Sequence, residues 1–167
     1  MKNSERTQQT KYRIGSAFME LRKRNSLDRI RITELCQLAK TNRTTFYHYF
    51  EDIYALNDAV EDAIIQDCLK DFPYRGMIYD DPDRYLSGFF KCMETRKTEL
   101  EILAQGREPD QGRKMERWLI ELGKKENGNI DEEFFLTFII GGIIHTNLMN
   151  RKTASIPKNR CSVSWFV

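Results

Sequence analysis

The sequence predicts an all-α protein. Apolar residues recur at i, i+3, i+4 and i+7 in one segment after another, and only 9 glycines and 4 prolines interrupt 167 residues. The stretches between those breaks are rich in Leu, Glu, Lys, Ile and Arg at helical spacing, which argues against sandwiches, barrels and disorder. A hydrophobic share of 40% suits a chain that buries a core of its own.

The first helix is expected over residues 7–24, where Ile14, Ala17, Phe18 and Leu21 form one stripe, and it ends at Asn25-Ser26. The connection LDRIR leads to a short second helix, with its N-cap at Thr33 or the residue before and its stripe at Ile32, Leu35, Cys36 and Ala39. Lys40-Thr41-Asn42 reads as a tight polar turn, and 43–50 as a third helix. In that helix Phe46, Tyr49 and Phe50 fall at i, i+3 and i+4 and pack inward, whereas Arg43, Thr44, Tyr47 and His48 lie on other faces. Glu51-Asp52 breaks it and caps a fourth helix, which carries Leu56, Val60, Ala63 and Ile64 and runs to residue 72.

Pro73, Gly76 and the run DDPD mark a loop. Helices are then expected at 85–96, at 99–105 and, after a polar linker REPDQG, at 113–125; a turn at 127–129 precedes the last helix, 131–150. The expected organisation is therefore a three-helix head over 1–51, a connecting helix over 52–72, a body over 73–150 and a flexible basic tail over 151–167.

Charge divides along the same lines. Residues 1–50 hold 11 Lys and Arg against 4 Asp and Glu, residues 51–150 hold 12 against 21, and residues 151–167 hold 4 against none, giving +7, −9 and +4. A basic head on an acidic body is what phosphate binding by the head requires.

Other chemistries find little support. Cys36, Cys68, Cys92 and Cys161 include no C-x-x-C pair and have only His48 and His145 beside them, so they read as reduced, mostly buried thiols rather than a zinc site or a disulfide framework. No phosphate-cradling glycine loop and no G-x-S-x-G is present. Neither catalysis nor a cofactor is expected. The N-terminal MKNSERTQQTKYR has no apolar run behind its charges, and the longest apolar stretch, 134–144, is broken by Thr137 and Gly141-Gly142, so a cytoplasmic protein without a membrane span is expected.

Short helices separated by tight turns, the third with exposed Arg, Thr, Tyr and His, fit a helix-turn-helix whose last helix enters the major groove while the preceding one braces on the backbone. Thr44 and Thr45 can donate hydroxyls to phosphate or touch a thymine methyl; Arg43 can pair with guanine or phosphate. Tyr47 and His48 can donate to phosphate oxygens, and Thr33 can hold a phosphate at the start of the bracing helix. Lys40 and Asn42 in the turn complete the candidate DNA-binding set.

The ordered run I-x-x-A-F-x-x-L from Ile14 to Leu21, followed by IRITELCQLAKTNRTTFYHYFEDIYALNDAV with T-x-F-Y-x-Y-F at its centre, resembles the DNA-binding domain of the tetracycline-repressor (TetR/AcrR) family. The likeness covers residues 8–65. Thr33, Leu38-Ala39, Thr44 and Tyr47 to Phe50 match the family pattern; Lys40-Thr41, where the family has a glycine, and Glu51-Asp52, where it commonly has a lysine for phosphate, depart from it.

The resemblance implies a dimeric regulator, most simply a repressor, that reads a near-palindromic operator in double-stranded DNA. Its last two helices would dimerise through Phe134, Phe135, Phe138, Ile139, Gly142 and Ile143 with Trp118 and Leu122. A small apolar inducer is implied for the body, with Phe89, Phe90, Met93, Leu103 and Met115 as candidate lining residues. The alternative is a protein-interaction adaptor or co-activator with a body of this type and weak or non-specific DNA binding.

Overall fold

A computed structural model describes the backbone of residues 2–124, 137 and 140–142, and the side chains of 4–107, 113–124, 137 and 140–142. Among these the chain is all-helical, with no strand. The helices are α1 (Lys2–Arg22), α2 (Ile32–Leu38), α3 (Arg43–Tyr49), α4 (Ile53–Leu69), α5 (Pro82–Glu94), α6 (Lys97–Ala104) and α7 (Glu108–Gly123), with one-turn 3-10 helices at Leu27–Arg29 and Met77–Tyr79. The expected last helix, most of its apolar positions, Cys161 and the tail lie outside the described residues.

Two compact units divide the chain: residues 1–67 with 96–107, and 68–95 with the described residues from 108 onward. In the first, the α1 stripe of Ile14, Ala17, Phe18 and Leu21 is buried as its spacing predicts; α1 packs on α2, whose segment buries Leu35, Cys36 and Ala39, and on α6, which buries Leu100, Leu103 and Ala104, while α3, with Phe46 buried, packs on α2. Burying side chains of this size is the main source of stability, roughly 1.5–3 kcal/mol each.

Arg22, the last residue of α1, is 1% exposed. Its guanidinium donates to the carbonyl of Asn25 at 3.2 Å and to three carbonyls at the end of α6: Ile102, Leu103 at 3.4 Å and Gln105 at 3.3 Å. A helix end leaves carbonyls without intrahelical partners and carries partial negative charge, so a cation there meets both needs. Burial, and then the positive charge of Arg107, push the Arg22 pKa down, with Asp28 opposing. Arg107 is itself paired with Asp58 of α4 at 2.8 Å. Arg96, just before α6, lies 3.6 Å from Asp67 and 2.9 Å from Glu99. Three arginines thus fasten α6 to α1 and α4.

The buried side of α4 differs from the expected one. Leu56 and Ile64 are inside, but Val60 is half-buried and Ala63 exposed; Ile53, Asn57, Glu61, Ile65 and Leu69 are buried instead. An apolar stripe locates the core face only when the core admits no polar residue, and here it admits two. Asn57 is fully buried, and neither its Oδ1 nor its Nδ2 has a hydrogen-bond partner among the described residues. A buried amide left unpaired costs roughly 1–3 kcal/mol. Asn57→Leu, close in size and without polar atoms, is expected to raise stability by about 1–2 kcal/mol in a thermal melt; a variant that melts at or below the wild-type temperature would refute this.

In the second unit, Asp81 caps α5 by accepting from the Arg84 amide at 3.0 Å, and Pro82 occupies the first turn, where its missing N–H costs nothing. The Tyr85 hydroxyl donates to the Leu119 carbonyl of α7 at 2.6 Å, and burial pushes its pKa well up. Phe72 meets Tyr85 and Tyr74 edge-on, each at 5.6 Å between ring centres. A side chain at Gly88 would strike the Tyr74 ring, so that glycine lets the ring lie on α5.

Several boundaries need correction. α1 begins at Lys2, and α2 is preceded by Arg31 without a side-chain cap, which leaves Thr33 inside the first turn. The run REPDQG is helix from Glu108 onward: Pro109 is compatible with a first turn, and Gly112 is accommodated within α7. Cys36 is buried, but Cys68 and Cys92 are only half-buried; all three are free thiols, and burial raises the pKa of Cys36 and Cys92.

Candidate nucleic-acid interface

The geometry of the α2–α3 pair starts from its turn. After α2, Cys36 accepts at its carbonyl from the Thr41 amide at 2.9 Å, and Lys40 takes a left-handed conformation with φ of 50°. Only glycine adopts that region without strain, so a lysine here sits at a backbone position that favours glycine. Lys40→Gly is expected to stabilise the fold by about 0.5–1 kcal/mol while removing an exposed cation. Melting curves and DNA titrations of the one variant should therefore move in opposite directions; an unchanged or lower melting temperature would show that the strain is not stored there.

Asn42 begins α3 as its N-cap, its Oδ1 accepting from the Thr45 amide at 2.7 Å. Phe46 is fully buried and anchors the helix, and the Phe46 and Phe50 ring centres lie 5.8 Å apart. Tyr49 and Phe50 are half-buried rather than enclosed, a correction that follows from their place at the rim of a seven-residue helix. With the cap and Phe46 fixing its rotation, α3 leaves Arg43, Thr44, Tyr47 and His48 exposed and Thr45 half-buried. Tyr47 is 47% exposed; its ring stands edge-on to Phe46 at 5.3 Å and 5.9 Å from the Arg43 guanidinium. Thr33 and Lys40 are exposed as well.

The structure adds residues the sequence reading passed over. The Lys11 ammonium lies 5.6 Å above the Tyr49 ring, a cation on α1 beside the end of α3. Tyr54 and Tyr12 are exposed large side chains on the same unit. No spacing rule marks them, since a single tyrosine on a charged helix reads as ordinary surface. Asp52 caps α4 by accepting from the Ala55 amide at 2.7 Å. One of the first amides of α4, that of Ala55, is thus already served by a carboxylate.

The other candidate residues separate. Phe89, Phe90, Met93 and Met115 belong to the second unit and Leu103 to the first. Phe89, Met93, Leu103 and Met115 are buried. Among the interface candidates, Leu122 is 2% exposed, Trp118 is half-buried and Gly142 is exposed. Phe134, Phe135, Phe138, Ile139 and Ile143 lie outside the described residues. Gly141 faces the Glu116 side chain of α7.

Among the described residues no helix is long and apolar enough to cross a membrane, and no group of three or more His, Cys, Asp and Glu is placed to hold a metal ion. Comparison with family models, with curated proteins and with solved structures returns no match.

Proposed function

We propose that the chain is a sequence-specific DNA-binding transcription regulator, a dimeric repressor of the tetracycline-repressor type acting in the cytoplasm on a near-palindromic operator. The observation that carries this reading is the outward set of α3: Arg43, Thr44, Tyr47 and His48 stand exposed on a helix whose rotation is set by the Asn42 cap and buried Phe46. Groups able to contact base edges and phosphates are thereby held on one rigid short helix, on a segment with a charge of +7 over residues 1–50. A dimer would place two such helices roughly 34 Å apart, one turn of duplex. Release by a small apolar inducer belongs to the same reading, and no catalytic role is assigned.

Fluorescence anisotropy of the full chain against DNA from upstream of its own gene, with scrambled DNA of equal length, across a salt series, tests it. Selective binding with two protomers per site is the expected result. Equal affinity for both DNAs, lost steeply with salt, would favour an adaptor or co-activator whose basic head is a charge patch. Asp52 favours that second reading, because its carboxylate occupies the α4 start where the family commonly holds a phosphate.

A further inference from the structure

A cavity of about 820 Å³ runs along the outside of the first unit between α1 and α4, closed at one end by the start of α6. Its size falls within the roughly 300–1,000 Å³ of small-molecule sites. On the α1 side it is lined by Lys11, Tyr12, Gly15, Ser16 and Met19 and, just past the helix end, Lys23; Lys11, Gly15, Met19 and Lys23 follow one another at steps of four residues. The two lysines thus stand about 18 Å apart along the helix axis with an apolar middle. The facing wall is Ala59, Val60, Ala63 and Ile64 of α4. This accounts for the misplaced stripe on that helix: Val60 and Ala63 are apolar because they line a cavity rather than the core. The small residues keep it open; a side chain at Gly15 would already touch Val60 at 3.4 Å.

Charge at the rim decides what fits. The two acids that line it, Asp67 and Glu99, are both engaged by Arg96. Lys11 rests on the Tyr49 ring, and Lys23 is exposed with no carboxylate in ion-pair range among the described residues. The uncommitted charge is therefore positive, at the end of an apolar trough.

We propose that this trough binds a small amphipathic anion, its apolar body along Met19, Val60 and Ile64 and its acidic head on Lys23. The site goes beyond the regulatory reading and rests on it only for its consequence. The trough also reaches Phe50 and Lys11, beside the last residue of α3, so an occupant is poised to alter how that helix is presented.

The test is calorimetric titration of the full chain with laurate as monomers, with 1-dodecanol as the uncharged homologue. The wild type should bind one laurate per chain, and dodecanol more weakly. Ala63→Phe, at an exposed helix position, should fill the trough and weaken laurate binding at least tenfold while the melting temperature holds. Lys23→Glu, also at an exposed position, should weaken laurate about tenfold and leave dodecanol unchanged. No saturable binding by the wild type, or full binding by Ala63→Phe, overturns the site, and equal loss of both ligands in Lys23→Glu overturns the anion. Ala63→Phe halving the mass in sedimentation would instead give the trough to a second copy and also overturn it. None of these measurements contains DNA, so a failure here is distinct from failure of the regulatory reading.

Discussion

Replacing Arg22 by leucine is expected to lower stability by about 2–4 kcal/mol, a fall of roughly 6–12 °C in melting temperature for a chain of this size. Leucine retains part of the side chain's apolar contact but removes every donor from the carbonyls of Asn25, Ile102, Leu103 and Gln105. The sign is not self-evident, since burying a guanidinium is itself costly and no carboxylate bonds it directly. What decides it is asymmetry: the leucine variant recovers the arginine's desolvation but leaves the end of α6 without its donors in a buried site. Arg22→Lys, with one compact head in place of a planar fork, should fall between the two. Chemical denaturation of the three proteins checks the order, and a leucine variant within about 0.5 kcal/mol of wild type would mean that desolvation cancels the clamp.

Tyr47→Ala is expected to reduce operator affinity about a hundredfold or more and to cost less than about 1 kcal/mol of stability. The stability estimate follows from exposure: the ring makes an edge contact with Phe46 and lies near Arg43, and neither is an enclosed contact. The affinity estimate follows from losing roughly 1–3 kcal/mol of direct contact in each half-site of a symmetric complex. Anisotropy titration beside a melting curve separates the two effects. Unchanged affinity in a folded variant would remove Tyr47 from the reading surface and with it the assigned face of α3.

The sequence made the head more legible than the rest, for reasons that differ by residue. Ile14, Ala17, Phe18 and Leu21 were readable because a 3.6-residue period has one interpretation when every member is buried. Asp52 as the cap of α4 was readable because a short acceptor before an apolar run has few other uses. Asn57 and Glu61 were not, since nothing local marks a polar residue that the surrounding helices enclose. Arg22 was invisible for the same reason: an arginine ending a helix reads as solvated until the distant α6 is brought to it. Pro109 and Gly112 misled in the other direction, as punctuation that a helix start and a helix interior absorbed. The trough was not legible either, since Gly15 and Met19 on α1 and Val60 and Ala63 on α4 come together only once the two helices face each other.

The clamp on α6 also sets a timetable for synthesis. Arg22 and the Ile102 carbonyl it holds are 80 residues apart, so the N-terminal unit cannot close until its last helix has left the ribosome. At the roughly 5–20 residues per second of translation, that is an interval of about 4–16 s. During it α1 to α3 are already synthesised, but the apolar side of α1 lacks its α6 cover. A message truncated after residue 67 would leave that nascent unit permanently open and exposed to aggregation, even though it encodes every residue of α1 to α3.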